Sequence, residues 1–115
     1  MNGNKLKPNT IKHLQKYVAA KIDKRGFKDE SLHERLVLLM EEVGELAKAC
    51  RKISGMNVNT DQNIKYKVGE EITDVINMTF AVGIALNIDI EKEFSNKEQT
   101  NDQRSYKRLK NQTAK

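Results

Sequence analysis

Tryptophan is absent from this 115-residue chain, and aromatic residues of every kind make up only 5% of it. Proline occurs once and glycine six times. So little aromatic and turn-forming content argues against a β-sandwich and points to an all-α fold. The single Cys50 excludes an internal disulfide, and two histidines are too few for a zinc site of the Cys/His type, so any metal here must be held mainly by oxygen. No apolar run approaches the ~20 residues of a membrane-spanning helix. The opening MNGNKLKPNT also lacks the apolar core of a signal peptide, and a soluble cytoplasmic protein without a membrane partner is expected. With 37% hydrophobic residues, the chain can build one modest core. One domain over residues 1–115 is expected, with a helical body over about 10–106 and a flexible basic tail over 107–115.

Charge is segregated along the chain. Residues 1–28 carry eight Lys/Arg against Asp23 alone, a net of +7, residues 29–95 carry a net of −6, and residues 96–115 a net of +4. Basic ends are compatible with nucleic-acid contact or with solvated tails, whereas an acidic middle asks for cations.

Helical periodicity divides the sequence into four segments. Thr10 opens the first, Ile11, Leu14, Val18 and Ile22 line one face, and Gly26 stops it, giving a helix over about Thr10 to Arg25. Ser31 and Glu34 form a capping box for the second, whose stripe is Leu32, Leu36, Leu39, Val43, Leu46, Cys50 and Ile53, ending at Gly55. A polar loop over Gly55 to Gln62 precedes a third helix lined by Ile64, Val68, Ile72, Val75, Thr79, Val82 and Leu86. Asp89 reads as the N-cap of a fourth, running from Ile90 to about Leu109. The third helix is apolar nearly all round, because Ile76, Phe80 and Ile84 fall opposite its main stripe. Such a helix in so small a domain suits burial against a second copy, so a homodimer or homotetramer is expected.

Two carboxylate clusters carry the chemistry: Glu41, Glu42 and Glu45, then Glu70, Glu71 and Asp74. Glu42 with Glu45 and Glu71 with Asp74 are i,i+3 pairs, so each stands on one helix face at a cost of a few tenths of a kcal/mol in repulsion. If the second and third helices are antiparallel neighbours, four carboxylates converge in one groove. Hard oxygen ligands in that number suit Mg²⁺ or Mn²⁺, with phosphate oxygens completing the shell. The competing reading is solvated helix flank, since Glu is a good helix former. Gly44 and Gly69 each cost a helix interior ~1 kcal/mol and lie beside the clusters, which close approach of a helix or phosphate would explain. A di-iron site built on Glu30 and His33 lacks the second Glu-x-x-His that it needs.

These residues resemble the all-α nucleoside triphosphate pyrophosphohydrolases of the MazG-like superfamily, whose signature is ExxE, a spacer, then ExxD. Here it reads Glu42-Val-Gly-Glu45 and, after 25 residues, Glu71-Ile-Thr-Asp74. A further element of that family, Lys-x-x-x-Asn-x-x-Arg, is matched by Lys97, Asn101 and Arg104. The resemblance covers about Leu14 to Tyr106 and implies a four-helix bundle of MazG-like type. It also implies Mg²⁺-dependent hydrolysis of a nucleoside triphosphate between its α and β phosphates. Carried over, Glu42, Glu45, Glu71 and Asp74 would hold Mg²⁺, with Mn²⁺ as a substitute, and Glu41 or Glu42 would serve the water. Lys97, Asn101 and Arg104 would hold phosphate and sugar.

Further candidates come from position alone. Asn77 is one turn beyond Asp74 and could reach a sugar, Phe27 offers a base-stacking face, and Lys48 could approach phosphate or pair with Glu45. His33 and Gln15 could read base edges. Other function classes remain at this point: a phosphoribosyl-ATP pyrophosphohydrolase, a nucleic-acid binder using the basic ends, or a helical interaction module. No stable nucleic-acid partner is expected if the carboxylates hold metal.

Overall fold

A computed structural model describes the backbone over residues 10–53 and 62–113, and the side chains over 10–53 and 67–104. Four helices follow in order, with no strand among the described residues: α1 (Ile11–Lys24), α2 (Leu32–Ile53), α3 (Gln62–Ala85) and α4 (Ile90–Thr113). The expected loop over Gly55 to Asp61 lies outside the described residues, while Gln62, placed in that loop from sequence, already begins α3.

Side chains at the caps set the helix limits. Thr10 Oγ1 accepts the His13 N–H at 3.0 Å. The Ser31–Glu34 box is reciprocal: Ser31 Oγ accepts the Glu34 N–H at 3.1 Å, and Glu34 Oε1 accepts the Ser31 N–H at 2.9 Å. The Ser31 N–H, with the Ser31 hydroxyl beside it, holds the Glu34 carboxyl below its usual pKa. Asp89 caps α4 through the Lys92 N–H at 3.2 Å. At the other end of α1, the Phe27 N–H donates to Ile22 O at 2.9 Å and the Gly26 N–H to Asp23 O at 3.1 Å, with Gly26 at φ +83°. That 6→1 and 5→2 pair is a Schellman termination, and glycine supplies the left-handed residue it requires. α3 ends the same way on Asn87 at φ 54°, with Ile88 N–H to Gly83 O and Asn87 N–H to Ile84 O.

α2 and α3 pack along each other, and eight residues separate their ends, too short a link for anything but an antiparallel return. α1 lies across α3, and α4 packs chiefly on α1. α4 departs from α3 at 104° and is sewn down at its start. The Gln15 amide donates to Ile88 O at 2.8 Å and accepts the Ile90 N–H at 3.0 Å, while Glu91 Oε1 accepts the Lys12 N–H at 3.0 Å. Gly83 is the glycine that a close approach requires, since a Cβ there would lie 2.8 Å from Ile90 Cδ1. Gly44 and Gly69 face open space, so the close approach expected beside the clusters is absent at both. No single described helix is long and apolar enough to cross a membrane.

The core centres on Val18, Ala49, Phe80 and Ala81. Three sequence expectations change here. The α2 stripe is only in part the inward face: Leu39 and Leu46 are half-buried, but Leu32, Leu36, Val43, Cys50 and Ile53 are exposed, while Arg35 and Ala49 are buried and Glu42 half-buried. α2 is rotated so that its polar inward edge meets α3. Phe80, expected on the outer back of α3, is only 8% exposed and belongs to the chain's own core, whereas Ile76 on that back stays open, as does Ile72 of the expected main stripe. The backbone of α4 also runs helically to Thr113, past the Leu109 limit and through most of the segment expected to be a flexible tail.

Candidate functional site

α3 carries Glu71 and Asp74 one turn apart on the side that meets α2, and α2 presents Glu42 from its inward edge. The three carboxylates each offer an oxygen within 4.8 Å of the others. Glu71 is buried, Glu42 half-buried and Asp74 exposed, so the group is open on one side. Burial pushes the Glu42 carboxyl above its ordinary pKa, and the charges of Asp74, Glu71, Glu45 and Glu41 push it the same way. Lys67 pairs with one of them: its Nζ lies 3.0 Å from Glu71 Oε1, and that bond raises the Lys67 pKa. Glu45 and Glu41 are exposed and close enough to act on Glu42, but neither belongs to the trio.

Beside the trio opens a cavity of about 240 Å³ between α1, the α1–α2 turn and α3. Glu42 and Asp74 form its acidic edge and Asn77 continues that wall one turn on. Phe27 also lines it and is 51% exposed, so its ring is not consumed by the core. Val18, Ile22, Met78 and Ala81 make the apolar lining, and Glu30 adds a carboxylate near the turn. Lys21 on α1 and Arg25 at its C-cap supply positive charge, on the face of Val18 and Ile22 at i, i+3, i+4 and i+7. The Lys21 ammonium also lies 5.3 Å from the Tyr17 ring centre.

The expected site residues therefore divide. Glu42, Glu71, Asp74, Asn77 and Phe27 come together, with Glu41 and Glu45 on the exposed flank. Lys48 is exposed on α2 and does not line the cavity, and His33 is exposed in the first turn of α2. Gln15 is committed to the α3–α4 turn, which removes it from base reading. Asn101 donates to Glu98 Oε2 at 2.8 Å, and Lys97 and Arg104 stand exposed on the departing α4, outside the cavity lining. Sequence reasoning missed Lys21 and Arg25, although their place beside the α1 stripe was a usable signal. It also missed the buried Arg35. A second cavity of about 330 Å³ lies between α1 and the α3–α4 turn, where Lys12, Lys16 and Asn87 line it without any of the trio.

All donors of the trio are oxygen, and their spacing suits one hard divalent cation with open positions left for water and phosphate. An apolar pocket with an aromatic ring, an amide and two cations beside such a trio can seat a base, a sugar and phosphates. Comparison with known protein families and with curated proteins gives no match for this sequence.

Proposed function

We propose that this chain is a divalent-cation-dependent nucleoside triphosphate pyrophosphohydrolase of the MazG-like kind, cleaving between the α and β phosphates. The observation that carries the reading is the meeting of Glu42, Glu71 and Asp74 at the edge of a cavity that also holds Phe27 and Asn77. Glu42, Glu71 and Asp74 would hold Mg²⁺, or Mn²⁺ in its place, with Glu45 within reach of the same edge. The bound cation supplies charge neutralisation on phosphate oxygens and a more acidic water. Phe27 stacks on the base, Asn77 hydrogen-bonds the sugar, and Lys21 and Arg25 hold the distal phosphates. Glu41 or Glu42 orients the attacking water, whose oxygen joins the α phosphorus while the bridging oxygen leaves with pyrophosphate.

The same reading takes the working form to be a homodimer or homotetramer. Leu36, Met40 and Val43 recur along α2 and Ile72 and Ile76 along α3, all exposed in the single chain. In such an assembly Lys97, Asn101 and Arg104 would meet phosphate from a neighbouring copy's α4, since α4 turns away from its own α3.

The test is a panel of ribo- and deoxynucleoside triphosphates with Mg²⁺, the products separated by ion exchange. Nucleoside monophosphate with pyrophosphate is expected. Nucleoside diphosphate with orthophosphate overturns the assigned bond, and no turnover of any nucleotide overturns the activity.

A further inference from the structure

We infer that Arg35 is a positioning residue for the cavity, tying the turn that carries Phe27 to the α3 wall at Ala81 without itself touching a ligand. The inference rests on the cavity being the substrate's seat, as proposed above.

Arg35 is 4% exposed, deep for a permanently charged side chain. Its Nη1 donates to Ala81 O at 2.8 Å and its Nη2 to Phe27 O at 3.4 Å, while Nε has no partner among the described residues. No described carboxylate pairs with it. A buried guanidinium held only by carbonyls is a costly way to fill space, and an apolar side chain of similar volume would fill it at less desolvation cost. What the guanidinium adds is direction, because its planar fork reaches two carbonyls on two elements at once. Both carbonyls belong to residues that line the cavity.

The turn needs such a tether. Phe27 is otherwise held by local bonds, its N–H to Ile22 O and its carbonyl receiving the Glu30 N–H at 3.2 Å, next to a glycine in the left-handed region. Those bonds fix the shape of the turn but do not join it to α3. Arg35 does, and it lies seven residues before Glu42 on the same inward edge of α2. One helix edge thus sets both the acidic side of the cavity and, through Arg35, its aromatic side.

The test compares wild type with Arg35→Met and Arg35→Lys. Exchange of the Phe27 and Glu30 amides should quicken about tenfold in Arg35→Met and be partly restored in Arg35→Lys, which keeps the charge but reaches one carbonyl. Mn²⁺ affinity at the acidic trio should be unchanged. With a nucleoside triphosphate substrate, KM should rise about tenfold while kcat stays within about threefold. Unchanged amide exchange in Arg35→Met overturns the inference, and so does a fall in kcat at constant KM. If wild type hydrolyses no nucleotide, the exchange arm still decides the role of Arg35, while the activity reading fails by itself. If Arg35→Met does not fold, Arg35→Lys carries the same comparison: exchange and KM both at wild-type values would overturn the tether.

Discussion

Replacing Glu71 by glutamine keeps the shape of the trio and removes one charge. Oxygens of Glu71, Glu42 and Asp74 lie within 4.8 Å of one another. Two unit charges at that distance repel by roughly 1 kcal/mol even with the dielectric of water. Glu71→Gln therefore relieves two such repulsions, and it gives up the 3.0 Å bond to Lys67, which is mostly exposed and screened. The metal-free variant should be as stable as wild type or slightly more so. Metal reverses the order. At a Mg²⁺ concentration tenfold above half-saturation, binding stabilises the wild type by RT ln 11, about 1.4 kcal/mol, which for a domain of this size raises Tm by about 5 °C. The variant, with two carboxylates left, should gain under about 1 °C at that concentration. Thermal unfolding followed by helical circular dichroism, with and without Mg²⁺ or Mn²⁺, reads both numbers. Lys67→Met is the converse control, since removing the resident cation from Glu71 should strengthen metal binding and enlarge the shift. A Glu71→Gln protein that keeps the full wild-type shift, or a Lys67→Met protein that loses it, refutes the assignment of the trio as the metal seat.

Acid should weaken the same site early. The Glu42 pKa is raised in the folded chain, so the stability tied to its protonation is fully present below the unfolded pKa and is lost as pH rises through the raised one. Metal-free protein should accordingly gain from acidification across that window, while Mn²⁺ affinity should fall, and Glu42→Gln should flatten the Glu42 part of both profiles. The two cation sets can be told apart in a kinetic comparison: Arg25→Ala should raise KM about tenfold through loss of a charge-assisted phosphate contact. A silent Arg25→Ala beside a damaging Arg104→Ala would assign the phosphates to α4. Ile76→Glu places a charge on the open back of α3 and should shift the sedimenting species to monomer with the helices intact, whereas Phe80→Glu buries that charge in the protomer and should unfold it. Wild-type protein that sediments as a monomer at micromolar concentration removes the assembly argument.

The helix limits were legible because they are written in local chemistry. Thr10, the Ser31–Glu34 box, Gly26 and Asp89 each act within one turn of their own position, and each cap forms as its residue type dictates. What local chemistry does not carry is the rotation of a helix about its axis. Counting apolar residues on α2 selected the Leu32, Leu36, Val43 side, but the chain turns Arg35 and Glu42 inward instead. Hydrophobic periodicity reports the sum of all apolar contacts a helix makes, including any with another chain, whereas burial within one chain reports only some of them. The exposed row on α2 is thus the part of the periodic signal that the chain's own packing leaves unsatisfied.

The same distinction governs the site. Glu71 and Asp74 share one face because i,i+3 spacing guarantees it within a helix, and Glu42 joins them because α2 and α3 return antiparallel. Glu42 and Glu45 obey the same spacing, yet only Glu42 enters the trio. The face that spacing guarantees is set relative to its own helix, and the rotation that turned Arg35 inward carried Glu42 with it and left Glu45 on the flank. Lys97, Asn101 and Arg104 likewise follow one another along a helix face, but the 104° departure of α4 decides where that face points. Asn87 at positive φ, the Gly83–Ile90 contact and the Gln15 clamp fix that departure. Gln15 on α1, Gly83 on α3 and Asn87 in the turn, acting on Ile90 at the start of α4, thus govern the reach of a motif that lies further along α4, and for this reason α1, not α4, brings positive charge to the cavity of its own chain.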